Sequence, residues 1–254
     1  MLRETIEAIK AHAVKDYPRE SCGLVVTVKG DETYWPCKNL AESANHFVMD
    51  KEDYADAEDA GELIAIVHSH PDADAVPSEA DKLACEATQL PWVIVSVREG
   101  EVAGMSVNPP TGYVAPLVGR QFFHGVMDCL TLIQDWYARE AGIILPSYFR
   151  EDDWWHKGKD YYMERYEHAG FRELAPSEAI QPGDVVLMTI RANVANHVGI
   201  YIDTRPLTEA PNLHPVPNAM LHHLHGRLSD RVVYGGFWLM STNKVIRHKD
   251  FKNE

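Results

Sequence analysis

Two histidines, His68 and His70, close the apolar run LIAIVHSH at residues 63–70. Alternate side chains of an extended strand share a face, so both imidazoles can reach one metal ion. Asp81 follows in the first turn of a helix that Ser78 can cap. A carboxylate beside two imidazoles makes a three-ligand set suited to catalytic zinc (Zn2+), with the fourth position open. Zinc in such a set ionises a water near neutral pH. The string Ser78-Glu79-Ala80-Asp81 is equally an ordinary helix cap with an acidic first turn, and the two roles are compatible.

A second chemical group is the Cys129 thiol. Asp128 and Cys129 open a helix whose apolar positions are Leu130, Ile133, Trp136 and Tyr137, and a helix N-terminus lowers a thiol's pKa and favours the nucleophilic thiolate. Cys22, Cys37 and Cys85 read as small buried hydrophobes. Without a CxxC pair the four cysteines fit neither a disulfide framework nor a cysteine-built zinc site. His197, at the start of HVGIYI, is a candidate base for Cys129. Met220-Leu221-His222-His223 offers a polar group to orient its imidazole.

These residues need elements to hold them. Leu2, Ile6 and Ile9 recur at helical spacing and predict an amphipathic helix over the first dozen or so residues, ended by Asp16-Tyr17-Pro18. CGLVVTV reads as a strand, KGDET as a turn, and Tyr34 and Trp35 as the start of a return strand. Asp50 caps an acidic helix, KEDYADAEDA, with its charges in solvent. Residues 63–70 predict a buried strand, EADKLACEATQL a helix, and WVIVSV and VAGMSV two strands around REGE. NPPTGYVAP then breaks all periodicity, which places a boundary between residues 1–110 and residues 111–254. Beyond it come a helix around 128–141 ended by Gly142, an aromatic and polar stretch, and strands at VVLMTI and HVGIYI. The Pro-rich TRPLTEAPNLHPVPNA reads as a loop, and the C-terminal VIRHKDFKNE as a polar tail, mobile at its end. No repeat relates the halves.

A length of 254 residues suffices for two domains of ordinary size. The formal charge of −14 opposes electrostatic binding to nucleic acid or to an anionic membrane surface. The opening residues lack an apolar core of signal-peptide length, and no later stretch approaches the roughly 20 apolar residues that span a bilayer. We therefore expect no signal peptide, no transmembrane segment and no membrane insertion, with synthesis and folding in the cytoplasm.

The string His68-Ser69-His70-Pro71, with Ser78 and Asp81 at the following positions, resembles the H-S-H-P-x6-S-x-x-D pattern of JAMM (Mov34/MPN/PAD-1) metallopeptidases. Arg19-Glu20-Ser21-Cys22-Gly23 occupies the place of that family's upstream glutamate. The resemblance implies an MPN-like mixed sheet flanked by helices, zinc on His68, His70 and Asp81, Glu20 as proton acceptor, and Ser78 as oxyanion donor.

Asp128-Cys129, Pro182-Gly183-Asp184-Val185-Val186 and His197-Val198-Gly199-Ile200-Tyr201 resemble the NlpC/P60 family of cysteine peptidases, with Leu130-Thr131-Leu132 in place of the frequent S-G-L. This implies a papain-like α+β domain in which Cys129 is the nucleophile, His197 the general base, and His222, or else His223, the orienting group. The whole chain is then a two-domain α/β (α+β) protein. A fusion in this order resembles the tail tip and tail assembly proteins of long-tailed bacteriophages, of the lambda K type. That resemblance implies murein peptide stems as substrate, other tail proteins as partners, and a place in the host cytoplasm during assembly and at the virion tail tip. The alternatives are a structural tail-tip component with vestigial or assembly-only chemistry, and a free bacterial cell-wall peptidase.

Overall fold

Alternation of side chains along β-strands builds the first half of the protein. The computed structural model describes residues 1–44 and 46–252, in two compact units, Met1–Val114 and Ala115–Glu254. The first unit runs α1 (Arg3–Asp16), β1 (Cys22–Val28), β2 (Asp31–Cys37), α2 (Lys51–Ala60), β3 (Glu62–Pro71), α3 (Glu79–Thr88), β4 (Trp92–Arg98) and β5 (Glu101–Asn108). Its sheet has the order β2-β1-β3-β4-β5. Only β3 and β4 pair in parallel, and α3 supplies the crossover that a parallel pair requires.

Val25, Ala65, Val67, Val93, Val95 and Val97 face α1, where Ile9 and Ala13 cover them. Leu24, Val26, Ile66 and Trp92 face the other way and meet Ala57 of α2 and Cys85 of α3. His68 and His70 continue the parity of Ile66, so the period of two delivers both imidazoles to the α3 side of the sheet. Asp50 caps α2 by accepting the Glu52 amide.

The second unit contains α4 (Cys129–Glu140), α5 (Tyr161–Arg165), β6 (Phe171–Glu173), β7 (Val185–Met188), β8 (His197–Tyr201), β9 (Ala219–His222), β10 (Asp230–Val233), α6 (Phe237–Met240) and β11 (Thr242–His248). Its six strands form an antiparallel sheet in the order β10-β9-β8-β7-β11-β6. Val185, Leu187, Val198, Ile200, Leu221 and Ile246 face α4 and bury Leu132, Ile133 and Trp136. Val186, Met188, Tyr201 and Met220 point to the opposite face. Among the described residues, no helix is long and apolar enough to cross a membrane.

The C-terminal stretch corrects the expectation of a polar tail. Residues 245–248 belong to β11, which lies between β7 and β6, and Ile246, His248 and Phe251 are buried. Asn253 and Glu254 lie outside the described residues. The polar side chains that suggested a solvated tail have partners. Arg247 donates to both oxygens of the fully buried Asp184 at 2.7 and 2.8 Å. Gly183, at φ +96°, leaves room for the Phe251 ring, against which any Cβ would collide. Breaking a buried pair leaves a charge uncompensated, at a cost of about 3–5 kcal/mol. Arg247→Ala is therefore expected to lower the denaturant midpoint and to strip amide-exchange protection from β7 and β11. An unchanged midpoint would mean that the pair holds nothing together.

Candidate active sites

At the end of β3, three side chains form a small triangle. His68 Nε2 lies 3.0 Å from His70 Nε2 and 3.2 Å from Asp81 Oδ1, while His70 Nε2 lies 3.3 Å from the other carboxylate oxygen, Asp81 Oδ2. With one ligand atom taken from each residue, all three lie within 4.8 Å of one another, close enough to converge on one ion with bonds of about 2.0–2.2 Å. The donors fit as well: two imidazole nitrogens and one carboxylate leave a fourth corner open. His70 Nδ1 meets the Asp74 carbonyl at 2.9 Å, and a donated Nδ1 proton leaves the Nε2 lone pair directed into the triangle. His68 is fixed by packing instead, with the Phe47 and Trp92 rings at 5.1 and 5.3 Å. Among the described residues its buried Nδ1 has no hydrogen-bond partner.

Asp81 joins the site to the helix that carries it. Its Oδ2 accepts the Ser78 amide at 2.7 Å, while Ser78 Oγ accepts the Asp81 amide at 3.1 Å, a reciprocal capping box. The cap and the approach of the carboxylate to both imidazoles thus coexist in one geometry. Burial opposes the charge on Asp81, but hydrogen bonds from His68 and His70 outweigh it and hold the carboxyl well below the usual carboxylate range. Glu20 sits next to this group. Burial pushes its carboxyl up to about 8, with His70 pulling it down and Asp81 pushing it further up.

In the second unit Cys129 is the first residue of α4, and only 6% of it is exposed. The expectation of a lowered thiol pKa is reversed: burial and the adjacent Asp128 push Cys129 up to about 11, against Tyr162 and the Val198 backbone. Burial is the larger cause, and the local hydrogen bonding does not offset it. Asp128 is the N-cap, and its Oδ1 accepts the Leu130 and Thr131 amides at 3.0 and 3.1 Å, taking the first-turn N–H groups that would have favoured a thiolate. Thr131, one of the departures from S-G-L, completes this cap by accepting the Asp128 amide at 2.7 Å.

His197 Nε2 lies 3.0 Å from His222 Nδ1, with the Trp238 ring 4.5 Å from that of His222. His223 turns away and pairs through Nε2 with the Arg227 carbonyl at 3.1 Å. Burial, with His222 and His223 nearby, depresses His197 to about 3. Cys129 Sγ pairs with Tyr162 Oη at 3.4 Å. Among the described residues no hydrogen bond joins Cys129 to His197. The resting groups are therefore a neutral thiol and a neutral imidazole. Iodoacetamide labelling of the Cys129 peptide is expected to climb about tenfold per pH unit from pH 7 to 9, following the thiolate fraction. A plateau near neutrality would point instead to a thiolate and imidazolium pair.

Over 255 aligned residues the chain is 42% identical to "Tail tip assembly protein K" of Escherichia phage N15, covering 99% of this chain and 97% of that relative. The chain belongs to the tail tip assembly protein K family. The K-family protein of Escherichia phage lambda is 37% identical over 204 residues, 80% of this chain and 91% of the relative. A family model for prokaryotic homologs of the JAB domain matches residues 2–108, and one for the NlpC/P60 family matches residues 119–247. This K-family chain is thus a fusion of a JAB-like and an NlpC/P60 domain with a mixed α+β fold. A "CysO-cysteine peptidase" of Mycobacterium tuberculosis (strain ATCC 25618 / H37Rv) is 33% identical over 105 residues, 38% of this chain and 71% of that protein.

Sequence reasoning missed three residues around the cysteine and histidine groups of this K-family member. Tyr162 meets the thiol, Arg150 pairs with Asp128, and Trp238 packs on His222. The stretch holding Tyr162 and Arg150 is rich in aromatic residues, but it has no period that would assign them a site.

Proposed function

We propose that this tail tip assembly protein carries two peptidase sites, a zinc-dependent one in the JAB-like domain and a thiol-dependent one in the NlpC/P60 domain, with murein peptide stems as substrate of the second. The observation that carries this reading is the convergence of His68, His70 and Asp81, with one ligand atom of each within 4.8 Å of the others, in a chain that aligns almost end to end with a tail tip protein. His68, His70 and Asp81 would hold the zinc, which supplies a polarised water and a Lewis acid for an amide carbonyl. Glu20 is the proton acceptor, and its raised proton affinity in the buried site suits taking up a proton and returning it. Ser78 Oγ spends a lone pair on the Asp81 amide, so its own proton remains available for a developing oxyanion. The similarity to a mycobacterial protein named as a peptidase supports amide hydrolysis.

In the second site Cys129 attacks the amide carbonyl as His197 takes the thiol proton; the proton passes to the amine as the C–N bond breaks, and water then hydrolyses the thioester to free the thiol. His222 orients the imidazole. Other tail proteins are the partners, and tethering by them offsets the poor attraction of an acidic chain to an anionic wall polymer. The acting protein is made in the host cytoplasm and carried at the virion tail tip. A second reading, a tail-tip component whose cysteine chemistry waits for assembly, is favoured by the burial of Cys129 and its bond to Tyr162.

The test is peptide release from purified murein, with the cut bond identified by mass. His222→Ala is expected to reduce release by about 10²- to 10⁴-fold, the scale seen when the orienting member of a triad is lost. His223→Ala should have a much smaller effect. If purified protein released no peptide while protein assembled into tails did, the second reading would replace the first.

A further inference from the structure

An apolar cavity adjoins the cysteine site and carries a single charge. Leu130, Tyr162 and Val198, three of the residues that line it, are also neighbours of Cys129, and Arg165 is the charged residue of the lining. The Arg165 guanidinium is held between two rings, 4.3 Å from the centroid of Tyr148 and 4.7 Å from that of Tyr161. Nearby cations already have carboxylates: Arg150 has Asp128, and Lys157 and Lys159 share Glu151. Among the described residues no carboxylate is paired with Arg165. The chain has 38 Asp and Glu against 24 Lys and Arg, so carboxylates are in excess and a half-buried arginine without one stands out.

We propose that Arg165 binds a free carboxylate on the peptide that is cut at Cys129, while an apolar side chain of the same peptide enters the cavity. The guanidinium presents a planar fork that matches a carboxylate in a bidentate pair. Contact with the Tyr148 and Tyr161 rings restricts the fork before any ligand arrives, which reduces the ordering cost of binding. Arg165 is half-buried beside apolar walls, so a carboxylate that reaches it interacts at lower dielectric than at an open surface. The inference rests on reading Cys129 as the nucleophile, and it narrows the substrate class to acidic peptides. Arg165 is then a specificity-determining residue.

The experiment uses the full chain and murein stem peptides prepared in two forms, with their carboxyl groups free or converted to carboxamides. Binding is measured by calorimetry on Cys129→Ala, and cleavage on the unsubstituted protein. The free form is expected to bind about 10- to 100-fold more tightly, the range for hydrogen bonds to a charged group. Arg165→Gln should abolish that preference. Arg165→Lys, which keeps the cation, should retain part of it and so separates loss of charge from loss of fold. Equal binding of the two forms, a preference that survives Arg165→Gln, or no binding of either form would overturn the proposal. Carboxylate-dependent binding without any cleavage would support the Arg165 site while removing murein hydrolysis at Cys129. Cleavage indifferent to amidation would do the reverse.

Discussion

Peptide release from purified murein is expected to fall by at least about a thousand-fold in Cys129→Ala, with bound metal unchanged. Removing a nucleophile leaves only the residual acceleration from binding and charge stabilisation, and removal of its base, as in His197→Ala, should cost a similar factor because the two act as a unit. The structure sharpens this expectation. Cys129 and the ligand triangle belong to different compact units of the chain, so a loss confined to the thiol variant would assign wall cleavage to the NlpC/P60 domain. Cys129→Ala also fills the same buried space with a slightly smaller group, so a folding defect is not the expected cause. Equal release by the variant and the parent would remove Cys129 from the chemistry altogether.

The second large effect concerns the metal. In His70→Ala, zinc content measured by atomic spectroscopy is expected to fall to background after dialysis, because one of the three converging ligand residues is gone. Loss of a group that merely supports a ligand weakens metal binding by about 10- to 100-fold, and loss of the ligand itself should exceed that. Asp81 and Ser78 separate the metal role from the cap. Asp81→Asn keeps an oxygen that can accept the Ser78 amide, so α3 should stay capped while the metal leaves. Ser78→Ala removes the acceptor for the Asp81 amide and should cost about 1 kcal/mol of stability while the metal stays. If parent and His70→Ala held equal metal, the triangle would be only a hydrogen-bonded cluster.

Several features were readable from residue order because they depend on local chemistry. The period of two in LIAIVHSH placed His68 and His70 on one face, and Ser78 and Asp81 formed a cap at the helix that brings Asp81 back to them. Asp50 capped an acidic helix for the same reason. The two-domain α+β arrangement was legible through motifs that the JAB-domain and NlpC/P60 families match.

Other features depended on contacts between distant segments. Whether His222 or His223 meets His197 turns on which face of β9 is directed toward β8's histidine, since adjacent residues on a strand point to opposite sides. Pairing between strands sets that face, and a run of two histidines carries no record of it. The ionisation of Cys129 was misjudged chiefly because burial raises its pKa, and burial is a property of the assembled unit. Asp128 adds to the shift by its charge, and its carboxylate takes the Leu130 and Thr131 amides. The C-terminal strand was hidden by its own charge: Arg247 looks solvated until Asp184, 63 residues earlier, is brought beside it. Sequence by itself determined which groups could bind metal or attack a carbonyl, because residue type and local period suffice for that. Tertiary structure decided their protonation, their partners and their access to solvent, because desolvation and long-range pairing exist only once the sheets have formed.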